Sequence, residues 1–335
     1  MIKLNLWNIR SCAGGIACLV LLATAASGAA ADLYQAAVPV TDRSEVGMTA
    51  AFQAALKSVL VRVTGRRSAA QDPALAPLIG NARRYMQQYR AGTGNQVWVS
   101  FDGPALERWL AQNGQPLWGA ERPGTVAWVG ISDSKGGGTF LTREQNSELR
   151  RVLDQEAALR GITLTWPGVL DVQRSGLSFS SVASVAAGAF VEPSKRLGAD
   201  GVLIGRASDG GANGTVRWTF VYQGRSTEFS GATEGIDRAA DAYAGLFAAS
   251  GQSANVGIEV TGVGDLQSYA GIQNYLESLT LISHVSVVGF DNDTMRLRLV
   301  ARGGAEAVQR ALSQASRLEW VSGADPGVLR FHARR

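Results

Sequence analysis

From Leu33 onward the apolar residues keep changing their spacing, and this constrains the fold more than any other feature. Met48, Ala51, Phe52, Ala55, Leu56, Val59, Leu60 and Val63 recur at steps of three and four, the buried stripe of an amphipathic helix. Residues 96–101, 215–222 and 226–233 alternate at steps of two, the period of half-buried strands. A chain that carries both periods throughout can be neither all-α nor all-β. It predicts a multi-domain α+β protein, and 335 residues are enough for two or three domains.

The pattern divides into three modules. The first, residues 32–120, has a strand at 33–40, then the helix above, stopped by Gly65. A second helix is expected to open at Asp72-Pro73, with Leu75, Leu78, Ile79, Ala82, Tyr85, Met86 and Tyr89 as its buried stripe. A strand at 96–101 and a helix at 104–112 complete the module. The second, residues 123–250, reads β-α-β-α-β-β-β-α. Its Gly-rich loop at 135–139 leads into a charged helix at 143–159, and a helical stretch follows at 181–197. The third, residues 255–335, reads β-α-β-β-α-β, the ferredoxin-like order.

Residues 1–31 have a separate character. Lys3 and Arg10 precede an apolar run centred on 16–22, and small residues follow through Ala29 and Ala31. This is the plan of a secretory signal peptide, with cleavage expected between Ala31 and Asp32 and delivery to the periplasm. An uncleaved anchor and a lipidated Cys18 are the competing readings. Cys12 and Cys18 are the only cysteines, so a cleaved chain is cysteine-free and has no disulfide or thiol chemistry. Loss of Lys3 and Arg10 also lowers the formal charge from +4 to +2, which removes the argument for nucleic acid. No later run is long and apolar enough to suggest a transmembrane segment in the mature chain.

The residues offer little to catalysis. His284 and His332 are the only histidines, and neither has a neighbouring ligand at a zinc spacing. Asp291-Asn292-Asp293 begins like a calcium loop but lacks the late Glu, and a polar hairpin turn is expected. No G-x-S-x-G elbow occurs. In the Gly-rich loop Lys135 precedes the glycines, where a P-loop needs Lys after them, so those glycines are expected to serve turns. The expectation is therefore no cofactor, no metal and no enzyme. The one uneven feature is charge. Arg43, Lys57, Arg62, Arg66, Arg67, Arg83, Arg84 and Arg90 face only Asp42, Glu45 and Asp72 between residues 41 and 90. Arg62, Arg66, Arg67, Arg83, Arg84 and Arg90 are the candidates for contact with an anionic surface, against the alternative of a solvated helix face. Trp118, in a loop between the first two modules, is expected to plug their junction.

Three stretches carry a family resemblance: 33–40 with 54–66, 85–90, and Leu197-Gly198-Ala199-Asp200 through Gly205-Arg206. On these the chain resembles the exported proteobacterial domain-of-unknown-function family 2066, which has no established activity and implies no functional residues. The third stretch is also similar to the N-terminal module of the TolB envelope protein and its curli-secretion relatives, and so implies an assembly or docking role. One departure is that residues 170–173 keep a single acid, Asp171, where an acidic stretch is expected. The resulting expectation is a periplasmic, non-enzymatic accessory that docks an envelope protein. The alternatives are binding of an anionic lipid or small ligand by the basic first module, and a hydrolase using carboxylates alone.

Overall fold

In the computed structural model the three blocks of mixed periodicity become three separate β-sheets. The structure describes residues 33–334 apart from 120–121, 134, 136, 185, 209–214, 314–316 and 322–327. The expected signal peptide and the Ala31/Asp32 cleavage point lie outside the described residues.

The first sheet holds β1 (Gln35–Pro39), β2 (Met86–Ala91) and β3 (Gln96–Phe101) in the antiparallel order β1-β3-β2. Helix α1 (Glu45–Thr64) packs on it. The Ser44 hydroxyl accepts from the Gly47 N–H to start α1, and Gly65 ends it in the left-handed region at φ 70°. By length and composition α1 would also pass as a membrane span. Its stripe from Ala51 to Val63 is instead buried in the core of this sheet.

The helix expected from Asp72 to Tyr89 is not continuous. Asp72 does cap a turn, its carboxylate accepting from the Ala74 N–H, but only the short helices α2 (Ala76–Gly80) and α3 (Ala82–Tyr85) follow. From Met86 the chain is strand β2. The apolar spacing of Tyr85, Met86 and Tyr89 suits either conformation locally, and backbone pairing with β3 decides it. Tyr89 still meets α1, its ring 5.1 Å from that of Phe52. Helix α4 (Gly103–Gln112), capped by Asp102, completes the module.

The second sheet runs β5 (Gly138–Phe140), β4 (Thr125–Ser132), β7 (Gly201–Ala207), β8 (Val216–Tyr222), β9 (Arg225–Gly231), with β6 (Leu164–Thr165) also paired to β4. Strands β4 and β7 are parallel. Ala127 and Val129 face a core formed with α5 (Glu148–Arg160) and α9 (Glu234–Phe247). Val126 and Trp128 face a second core beneath α6 (Val169–Ser175), α7 (Phe179–Ala183) and α8 (Val191–Arg196). The stretch expected as one helix at 181–197 is thus divided. The Gly-rich loop forms a turn, in which the Asp133 carboxylate accepts from the N–H groups of Lys135 and Gly137 before β5 pairs back on β4. Two glycines of β7 make room for aromatic rings. A Cβ at Gly201 would lie 1.8 Å from Tyr243 Oη, and one at Gly205 2.7 Å from the Trp218 ring.

The third sheet contains β10 (Ser253–Thr261), β11 (Ile282–Asp291), β12 (Thr294–Arg302), β13 (Leu318–Trp320) and β14 (Val328–Ala333), under α10 (Leu266–Ser278) and α11 (Gly304–Ser313). The order is β11-β12-β10-β14-β13. The β-α-β-β-α-β plan is present and extended by one strand: β14 lies between β10 and β13, parallel to β10. The buried Leu329 and Phe331 of β14 suit the interior position, and the three-residue β13 takes the edge. Asn292, at φ 53°, forms the tight hairpin between β11 and β12, so Asp291-Asn292-Asp293 is a turn.

Candidate functional site

The six candidate arginines do not converge. Arg62 donates to the carbonyls of Leu33 and Gln35, 3.3 and 2.9 Å away, and ties α1 to the start of β1. Arg66 pairs with Asp72 at 2.8 Å and also donates to Gln115. Arg67 reaches into the second module, where one nitrogen serves both Glu156 and Asp237. The bond to Glu156, then that to Asp237, holds its guanidinium more firmly protonated than usual. Arg83 lies 3.7 Å from Glu45, Arg84 is exposed on α3, and Arg90 sits on β2 with its guanidinium 4.4 Å from the centre of the Trp98 ring. Arg66 and Arg67 therefore follow the last turn of α1, whereas Arg83 neighbours its first. A 20-residue helix separates them by about 30 Å, several times the screening length of physiological salt. The expected single basic face is not formed. Its apparent charge excess arose because the balancing acids, Glu156 and Asp237, are 89 and 170 residues away from Arg67.

What these residues build is a seam between modules. The last carbonyls of a helix lack partners within it and carry partial negative charge. At the end of α1 the Arg62 carbonyl accepts from Arg122, that of Val63 from the Trp118 N–H, and that of Gly65 from Arg160. Trp118 is fully buried there, under the Arg122 guanidinium at 3.6 Å from its ring centre. It fills the junction. Arg160 is also buried, at 1% exposure, and is held by Asp237 and Asp241. The carboxylates of the seam, Glu156, Asp237 and Asp241, thus neutralise arginines. Among the described residues no group of three or more His, Cys, Asp or Glu side chains is placed to hold a metal. Beside the seam a cleft of about 850 Å³ opens between the first sheet and α5, lined by Gln35, Trp98, Gln155 and Ile162 among others.

Among the described residues a group of exposed apolar side chains lies elsewhere, at the edge of the third sheet. Among the described residues strand β11 pairs only with β12, so its outer backbone groups face away from the sheet. Val288 is 58% exposed and Phe290 53%, with Val287 beside them. Leu266, 79% exposed, begins α10, and Tyr269 of the same helix packs on the Phe290 ring at 5.6 Å. The only acid in the strand is its last residue, Asp291, which Arg296 neutralises at 3.0 Å. Unpaired, uncharged edges of this kind are templates for pairing with another chain, and here the pairing of β11 with β12 shifts register between Ile282 and His284 and again between Val287 and Gly289. The sequence reading placed a strand at 285–288 but did not single out its surface. The available signal was Val285, Val287, Val288 and Phe290, apolar at both parities, as in a strand covered on both faces.

Comparison with known proteins bears on the first module. A family model described as a domain of unknown function (DUF8605) matches residues 28–119. That match overturns the resemblance to family 2066 drawn from residues 33–40 with 54–66, 85–90 and 197–206. No curated protein and no solved structure matches the chain.

Proposed function

We propose that this is an exported, non-enzymatic docking protein that binds an extended segment of another envelope polypeptide along β11. The exposed, uncharged edge of β11 carries the reading. Strand addition satisfies the free backbone groups of such an edge, and the flanking apolar side chains supply specificity. Export rests on the tripartite segment at 1–31.

The test is a photo-reactive residue at position 288, compared with one at the exposed Ser226 of the opposite-type edge β9. One reproducible envelope-protein adduct at 288, absent at 226 and lost in Phe290→Lys, supports the reading. Equal adducts at both positions, or adducts only to a second copy of this chain, overturn it.

The cleft favours a second reading, a small ligand bound by the first module. Its volume lies within the usual ligand-pocket range of about 300–1,000 Å³. A Trp98→Ala variant that abolishes binding of a screened metabolite while β11 variants do not would favour the cleft over the edge.

A further inference from the structure

The β7–β8 register places Arg206 directly opposite Arg217. Side chains at opposed positions of an antiparallel pair share one face, with Cβ atoms about 5 Å apart, and like charges there are destabilising. Arg66, Arg67 and Arg160 each face carboxylates in this protein. Arg206 and Arg217 are not paired in this way. Neither makes an ion pair or hydrogen bond with any described residue, and the Arg206 guanidinium lies over the Phe179 ring, 5.9 Å from its centre. Glu228 is opposite Thr219, two pairs further along on the same face, and lines a neighbouring pocket with Arg206 and Arg217, but makes no ion pair among the described residues.

The surroundings of the two guanidinium groups suit an anion. They border a pocket of about 230 Å³ whose other walls include Ser132, Ser208 and Thr215. The Ser132 hydroxyl donates to the Ala207 carbonyl at 3.2 Å and ties together the carboxyl ends of the parallel strands β4 and β7. Ligands of open α/β sheets gather at the carboxyl ends of such strands. We infer that Arg206 and Arg217 form a binding site for one phosphate-type oxyanion, with the hydroxyls of Ser208 and Thr215 as neutral donors. The double charge of a phosphate monoester matches two guanidinium groups, and each fork presents paired N–H donors to its oxygens. The ligand converts a repulsive cross-strand pair into a bridged one. This site is independent of β11.

The test is calorimetric titration of the full chain with glycerol phosphate, at constant ionic strength maintained with chloride. Saturable binding is expected, weakened at least tenfold in Arg206→Gln and again in Arg217→Gln. The same variants, without phosphate, should melt at or above the native midpoint, because repulsion is relieved. In saturating phosphate the native protein should overtake them. Vesicles containing phosphatidic acid form a second arm. Binding to vesicles but not to soluble glycerol phosphate assigns the site to a lipid headgroup, and the reverse assigns it to a soluble phosphate ester. No binding beyond the chloride control in either arm, or binding unchanged in both variants, overturns the proposal.

Discussion

The seam between the first two modules and the edge of the third treat unsatisfied backbone groups in opposite ways. At the seam, the carbonyls ending α1 are closed by Arg122, Trp118 and Arg160, and the tryptophan is sealed from solvent. At the edge, β11 leaves a row of groups open beside Val288 and Phe290. The difference separates two uses of one chemistry. Closing the groups makes modules rigid with respect to each other, and leaving them open keeps a surface available. Changes at the seam should therefore cost stability, and changes at the edge should cost contact.

The largest expected loss follows from Arg160→Ala. It removes a buried cation from the Gly65 carbonyl, from the half-exposed Asp241 and from Asp237, which keeps Arg67, and the lost charged hydrogen bonds and packing together cost about 3 kcal/mol. Urea unfolding measures it, and a loss below about 1 kcal/mol would mean that the seam is not closed by this residue. Gly201→Ala comes next. Its Cβ would clash with the buried Tyr243 hydroxyl, an overpacking error of about 2 kcal/mol, and a neutral result would show that the ring can move aside.

Alkaline stability gives a smaller effect. Burial, aided by the bond to Glu107, raises the Tyr34 phenol above its ordinary value, and burial does the same for Tyr222 and Tyr243. A folded pKa above the unfolded one gives stability that is complete below about pH 10 and lost as pH rises beyond it. Thermal midpoints should fall from pH 9 to 11, less steeply in Tyr34→Phe. Equal slopes would count against this cause. Smallest of all should be Val288→Lys at the edge, within about 0.5 kcal/mol of native stability while an adduct formed from a photo-reactive residue at position 290 disappears. A strongly destabilised Val288→Lys would make β11 part of the core rather than a contact surface.

The same contrast explains what could be read from the sequence. Helix α1 was legible because its stripe, cap and terminal glycine agree within one local segment. Trp118 was legible as a junction residue because it is a large apolar side chain in a polar loop between periodic blocks. Strand β2 was not, since Tyr85, Met86 and Tyr89 fit two periods and pairing with β3 chose between them. Strand β5 is three residues long, too short to show any period. The arginines looked like a patch because their partners are distant in sequence, and the exposure of β11 depends on which strand lies beside it. The opposition of Arg206 and Arg217 is likewise a matter of register, and it follows from the alignment of two strands across the segment joining them.

The placement of β14 has a consequence for the order in which the molecule can be finished. Phe331 of β14 reaches back to Thr261 of β10, 70 residues earlier, to fill the interior of the third sheet. During synthesis a ribosome delivers β10, β11 and β12 before the strand that belongs beside β10 in the sheet's interior. Until β14 arrives, the nascent sheet has a second adhesive side at β10, next to the apolar Val256, Ile258 and Val260. A chain stalled or clipped before Val328 is thus not a slightly shorter protein but a stickier one.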